Sequence, residues 1–241
     1  MTEAAVKVYK DSLKTKAETL LLKDFPVKIV MLNDVLGKLN FQNIKLGEIH
    51  QDVNIPVPRP VSMYDEPRAK RRRLEVSLAT ANVEWPKVYT LPNGPAPCNK
   101  SLSDMIRTIK PHIRQLVEDS NLLKMWISYL IPKIEDGNNF GVSIQGRTLK
   151  EIQESETKAE EFLEQISDYF VTRAKIVSKV AKYPHIEDYR RAVRELDEKQ
   201  YLSLWLTMCE VRNRYCVLHD IVTKNLDKIK RPRTSNTDAL Y

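Results

Sequence analysis

Apolar residues recur every three to four positions through most of this chain. Tyr9, Leu13, Ala17, Leu20, Phe25, Ile29, Leu32, Leu36 and Leu39 form a first stripe, with Pro26 as the expected kink. Leu102, Ile106, Ile109, Ile113, Leu116, Leu123, Ile127, Leu130 and Ile134 form a second, in which the polar Ser120 fills the one skipped slot. A third runs through Ile152, Ala159, Phe162, Leu163, Ile166, Phe170, Ile176, Val177 and Val180. The fourth takes Tyr189, Val193, Leu196, Leu204, Met208, Val211, Tyr215, Leu218, Val222, Leu226 and Ile229. Such spacing puts the residues of each stripe on one helical face, so the pattern predicts four amphipathic helices. Thr148 followed by Glu151 reads as a capping box that starts the third helix, and Pro184 ends it. Rods on the order of 50 Å, from about 1.5 Å of rise per residue, bury their stripes best against one another. The expected fold is all-α, a four-helix bundle with a long connection between helices 1 and 2.

That connection is marked by proline. Eight of the 13 prolines fall between positions 56 and 97, and a residue that fixes φ and lacks an N–H does not continue a helix. The expected organisation is a first helical region at 1–55, a flexible proline-rich and basic insert at 56–98, helices 2 to 4 at 99–230, and a tail at 231–241. Only 6 of 241 residues are glycine, which argues against glycine-rich nucleotide-binding folds and all-β folds.

Between helices 2 and 3 the chain reads Ile134-Glu135-Asp136-Gly137-Asn138-Asn139-Phe140-Gly141-Val142-Ser143-Ile144-Gln145-Gly146, holding three of the six glycines. A plain bundle turn needs about 2 to 8 polar residues, yet this one adds Phe140, Val142 and Ile144. It is either a loop folded onto its own bundle or a binding loop held at the bundle end by two stiff helices. Asp136, Asn138 and Gly141 match positions 1, 3 and 6 of a calcium-binding EF-hand loop. Phe140 at position 5 and Arg147 at position 12, where a bidentate glutamate is needed, break the match. No metal is expected here.

Charge and chemistry narrow the function. The formal charge of +7 is concentrated: residues 147–230 carry 16 basic and 15 acidic side chains, whereas residues 59–75 carry six and three, centred on Lys70-Arg71-Arg72-Arg73. A second basic cluster is Lys228, Lys230, Arg231 and Arg233. The run at 70–73 reads as a nuclear import signal, as solvated charge, or as a nucleic-acid contact; so short a patch supplies too few phosphate contacts for tight binding, and nucleic acid is not expected as a partner. Cys98, Cys209 and Cys216 form no C-x-x-C pair and suit a reducing compartment. No apolar run approaches the roughly 18 residues of a membrane span, and residues 1–14 alternate charges instead of forming a signal core, so a soluble chain without membrane contact is expected. His50, His112, His185 and His219 show no metal-ligand spacing, and no P-loop, G-x-G-x-x-G or G-x-S-x-G motif occurs. Neither catalytic residues nor a cofactor or metal are expected, and the chain reads as a non-enzyme.

Three stretches carry a specific resemblance. Met125-Trp126 through Ile131-Pro132-Lys133-Ile134-Glu135-Asp136-Gly137-Asn138-Asn139-Phe140-Gly141-Val142, the segment Ala181-Lys182-Tyr183-Pro184-His185-Ile186-Glu187-Asp188-Tyr189-Arg190-Arg191, and the tail Lys230-Arg231-Pro232-Arg233 ending in Leu240-Tyr241 resemble the eleven-S (REG) proteasome activators, most strongly the nuclear gamma type. The match covers nearly the whole chain, including Asn54-Ile55-Pro56-Val57-Pro58, and is weak in the insert. The resemblance implies a ring of seven four-helix subunits that caps the core proteasome without ATP and stimulates hydrolysis of peptides and some nuclear proteins. It implies that Glu135, Asp136, Gly137, Asn138, Asn139, Phe140, Gly141, Val142, Ser143, Ile144 and Gln145 form an activation loop acting on the gate of the core's α-ring. Ala239, Leu240 and Tyr241 would dock between α-subunits, and Lys70, Arg71, Arg72 and Arg73 match the import position of a nuclear protein. The alternating lysine and glutamate insert of the alpha type is absent, which favours a homo-ring. A nuclear helical scaffold, binding partner helices or chromatin, is the alternative.

Overall fold

The computed structural model describes residues 2–38, 46–59, 91–135, 137 and 139–233. Among them there is no strand. The first helical rod comprises α1 (Thr2–Thr19), a π-turn (Leu20–Asp24) and α2 (Phe25–Lys38). Pro26 cannot donate to the ladder and its ring crowds the carbonyl four residues back. The chain answers this with a widened turn in which the Phe25 N–H donates to Leu20 O, five residues earlier. The kink expected at Pro26 thus takes the form of a π-turn just before it. A 3-10 turn at Leu46–Glu48 precedes the insert. Beyond it come α3 (Lys100–Leu130), α4 (Phe140–Lys182), α5 (Glu187–Lys224) and the short α6 (Leu226–Lys230).

The start of α4 departs from expectation. Thr148 does not cap a helix; it lies inside one, buried, with its hydroxyl donating to Ile144 O at 2.9 Å. The N-cap is Asn139, whose carbonyl accepts from the Ser143 N–H at 2.9 Å. At 43 residues α4 is about 65 Å long, longer than the capping box implied. The fourth helix also differs, because it breaks at Asn225, where the side-chain amide donates to Ile221 O.

The stripes meet in one core. Leu13, Leu20, Leu21, Phe25 and Leu32 pack with Leu102, Ile109, Ile113, Leu116, Trp126, Ile152, Leu204, Met208, Tyr215 and Leu218. Ser120 is buried in its expected slot, and Phe25 meets Tyr215 edge to face, ring centroids 4.9 Å apart. Neighbouring rods run antiparallel: Lys10 lies over the Tyr129 ring, while Lys28 pairs with Asp119. The α3–α4 connection and α6 therefore share one end of the bundle.

At the opposite end Val53, Ile55, Val180 and Val193 form a second apolar cluster with Leu91 and Ala96 beside it. Asn54, at φ 56°, donates to Asn93 O at 2.8 Å, and the Arg190 guanidinium donates to Ile55 O. The two strands of chain that lead into and out of the insert are thus clasped to each other and to the α4–α5 turn. Asn99 caps α3 by accepting from the Leu102 N–H, and its amide donates to the buried Asp197 and to Ile49 O.

Two carboxylates inside the bundle hold the rods in register. Asp119 accepts from Lys28, Tyr215 and Gln115. Asp197 accepts from Arg173, Tyr169 and Asn99 at 2.8 to 2.9 Å. Burial, with the adjacent carboxylate, pushes both the Tyr169 and the Tyr215 hydroxyl well above the usual phenol range.

Candidate functional site at one end of the bundle

The α3–α4 connection is shaped by its own residues. Pro132 disfavours helix at the residue before it, and Ile131 accordingly turns extended, φ −66° and ψ 124°, ending α3. Gly137 sits at φ 124°, a conformation that side chains with a Cβ rarely adopt. Asn139 at φ −104° then starts α4 without a side-chain cap of its own. The result is a connection over 131–139, with Ile134 fully exposed, and Phe140 two-thirds exposed at the first position of α4.

The expected activation loop, residues 135–145, is therefore only partly a loop. Glu135, Gly137 and Asn139 lie in the connection; Phe140, Gly141, Val142, Ser143, Ile144 and Gln145 form the first turns of α4. Ile144 packs against the main core, which explains an apolar residue that looked misplaced in a turn. The Ser143 hydroxyl donates to Phe140 O at 2.7 Å. Asp136 and Asn138 lie outside the described residues, as do Lys70, Arg71, Arg72 and Arg73 and the tail residues Ala239, Leu240 and Tyr241.

What the structure adds is the root of the tail. After α6 the chain crosses the start of α4 so closely that a Cβ on Gly141 would lie 2.1 Å from Pro232 O and 2.5 Å from its Cα. Glycine at 141 is thus required by a neighbouring backbone and not by a turn. One residue on, the Arg233 guanidinium donates to Glu135 Oε2 at 2.7 Å, to Glu135 O at 3.3 Å and to Asn139 Oδ1 at 3.3 Å. Beneath them Gln145, with no exposed surface, donates its amide to Leu130 O at 3.0 Å and to Ile229 O at 2.8 Å. These are terminal carbonyls of α3 and α6, groups a helix cannot satisfy for itself. Lys230 pairs with Glu18 of α1 at 3.0 Å. The basic cluster at 228–233 is therefore split, two of its members serving as internal fasteners.

Sequence reading assigned no part to Arg233, Pro232 or Gln145 as a connected unit. The signal was present only as a lone Gly141 beside apolar residues and a lysine- and arginine-rich segment far along the chain.

His50 pairs with Glu198 at 2.5 Å near the other end, and burial lowers the His112 imidazole below its ordinary value. The three cysteines are free. Among the described residues there is no group of three His, Cys, Asp or Glu side chains placed to hold a metal ion, and no helix is long and apolar enough to cross a membrane.

Comparisons with known proteins agree on one family. Residues 1–60 match the model described as proteasome activator PA28, N-terminal, and residues 95–239 match proteasome activator PA28, C-terminal. The chain is 47% identical over 239 residues to proteasome activator complex subunit 3 of Gallus gallus, and 46% identical to that of Homo sapiens, covering 97% of this chain and 93% of each relative. Among solved structures, the 11S subunit of the Plasmodium falciparum proteasome, PA28, aligns with a TM-score of 0.77 at 27% identity, over 97% of this chain and 94% of that one. A chain of an archaebacterial 20S proteasome–PA26 complex shares the fold, with a TM-score of 0.66 at 14% identity over the whole of both chains. The chain thus belongs to the proteasome activator PA28 family, whose members are regulators of a protease and not catalytic enzymes.

Proposed function

We propose that this chain is the subunit of a homo-heptameric ring that caps the core proteasome, without ATP, and opens the gate of its α-ring to peptides and some nuclear proteins. The observation that carries the reading is the meeting, at one end of the bundle, of the 131–139 connection and the start of the tail at Arg231, Pro232 and Arg233. In this assignment residues 135–145 form the activating element, 239–241 the docking element, and Lys70, Arg71, Arg72 and Arg73 a nuclear import signal within the insert at 56–98. The bundle regions 1–55 and 99–230 supply the ring wall.

Several physical features support this. Val6 and Tyr9 on α1, Leu22 in the π-turn, Val27 and Val30 on α2, and Leu202, Leu206 and Val217 on α5 are large apolar side chains left exposed by the single chain. Scattered exposed apolar residues are ordinary, but this many large ones on the first rod and on α5 suit burial against other copies of the chain. A single docked tail binds weakly after its ordering entropy, whereas seven on one ring gain by effective concentration. The connection opens a gate only if it touches the open arrangement better than the closed one, since a ligand shifts an equilibrium by its differential affinity.

The test is hydrolysis of short fluorogenic peptides by purified latent core proteasome, with and without this protein, alongside its solution mass. Stimulation without ATP from a species near seven times 28.0 kDa is expected. Deleting Leu240 and Tyr241 abolishes core binding, while Asn139→Tyr binds but no longer stimulates. A monomer that leaves hydrolysis unchanged overturns the reading in favour of a helical scaffold.

A further inference from the structure

We infer that Arg233 is a positioning residue for the activating connection, a clasp through which the root of the tail sets where residues 131–139 stand. The inference rests on the proposed function for its consequence, though not for its geometry. One guanidinium reaches three oxygens of the connection: the Glu135 carboxylate, the Glu135 carbonyl and the Asn139 side chain. Those oxygens flank Gly137, the residue at positive φ where the connection reverses. Among the described residues of the connection, Lys133, Ile134 and Glu135 are exposed and lie in no helix. The tail root, by contrast, is anchored. Pro232 lies against Gly141 within van der Waals distance, and Ile229, three residues earlier, is buried with its carbonyl held by Gln145.

Arginine suits this task, because its planar fork can serve several acceptors at once, whereas lysine offers a point charge. Arg233 is three-quarters buried at the side chain and Glu135 is more than half exposed, so the ion pair is screened but the arginine is fixed. Eight residues follow Arg233 in the chain; fully extended they reach at most about 28 Å. Leu240 and Tyr241, the proposed docking residues, are tethered within that distance of the connection, and any displacement of the root is transmitted to Glu135 and Asn139.

The test compares full-length wild type, Arg233→Lys, Arg233→Met and Glu135→Gln, and the double variant Arg233→Met with Glu135→Gln. The first readout is hydrogen exchange of backbone amides over 131–139 in the free protein. The second is peptide hydrolysis by latent core proteasome across activator concentration, separating maximal stimulation from half-saturating concentration. For Arg233→Met we expect exchange over 131–139 faster by about threefold, the scale of one partly exposed ion pair, and a maximal stimulation lower by a similar factor. Half-saturation stays unchanged because the docking residues are intact. Arg233→Lys falls between the two, and the double variant is no worse than the worse single, as groups acting through one contact are non-additive. Unchanged exchange in Arg233→Met overturns the clasp whatever the core proteasome does. A full wild-type maximum for Arg233→Met, or a loss seen only in half-saturation, also overturns it. If wild type itself fails to stimulate, the proposed function falls and hydrogen exchange alone decides the clasp.

Discussion

Replacing Gly141 with alanine sets two physical arguments against each other. Gly141 lies in the first turn of α4 with helical geometry, where alanine is better than glycine by about 1 kcal/mol on intrinsic propensity. Its added Cβ, however, would stand 2.1 Å from the Pro232 carbonyl oxygen, 2.5 Å from Pro232 Cα and 2.7 Å from its carbonyl carbon. All three are backbone atoms, so no rotamer change relieves the overlap. Reaching ordinary contact at 3.4 Å requires the tail root or the start of α4 to move by about 1.3 Å. Forcing extra volume into a close-packed contact costs about 1–3 kcal/mol. The displacement also lengthens the 2.7 Å bond from Arg233 to Glu135 beyond hydrogen-bond range. The net expectation is a loss of about 0–2 kcal/mol per subunit, read as a lower Tm by a few degrees for a chain of this size. Gly146→Ala is the internal control: the same helix and the same substitution, but no atom within 4 Å of the new Cβ. It should raise Tm by about 2–4 °C. Scanning calorimetry of both variants at one protein concentration, which removes the mass-action term of an assembling protein, gives the comparison. A Gly141→Ala protein as stable as Gly146→Ala, with wild-type stimulation of peptide hydrolysis, would refute the close-approach reasoning.

Two further outcomes follow from the buried carboxylates. Asp197→Ala leaves the buried Arg173 without its anion and should cost about 3–5 kcal/mol, measured as a lower urea midpoint; a change of under about 1 kcal/mol would show that water reaches the arginine. Tyr169 and Tyr215 are held protonated by burial and by Asp197 and Asp119. The unfolded chain releases those protons near pH 10 while the folded one keeps them, so stability present below pH 10 falls as pH rises above it. Each tyrosine contributes about 1.4 kcal/mol per pH unit, and Tyr215→Phe should flatten that decline, seen in urea midpoints between pH 9 and 11.

The rods were legible because burial enforces periodicity, and even Ser120 kept its slot, buried with the stripe around it. Pro26 announced a disturbance, but the π-turn that absorbs it depends on hydrogen-bond geometry that composition does not encode. The capping-box reading failed at Thr148 for a clear reason. A T-x-x-E pattern is local, whereas the helix gained two extra turns because Ile144 and Gln145 had a core and two helix ends to satisfy. Gly141 misled in the same way, since a glycine reads as a turn when the cause is a backbone passing from 91 residues further along the chain. Nothing in the sequence sets Asp119 and Asp197 apart from the exposed aspartates that are usual; only the three-dimensional pairing of Lys28 and Arg173 with them does.

The joining of connection and tail has a consequence for how their roles can be separated. Glu135 and Arg233 are 98 residues apart in sequence yet directly bonded, and Gln145 holds the ends of α3 and α6 with one amide. A truncation that removes only Leu240 and Tyr241 leaves this knot intact, so under the proposed assignment it reports on docking alone. A truncation at Pro232 removes Arg233 and its three bonds to the connection as well, so under the same assignment it confounds lost docking with a displaced activating element. A loss of stimulation in the longer truncation therefore cannot be assigned to docking unless Arg233→Met, which retains the whole tail, has been measured beside it. If Arg233→Met and the two-residue truncation each impair a different parameter, the first maximal stimulation and the second half-saturation, the bundle end is one mechanical unit with two separable outputs.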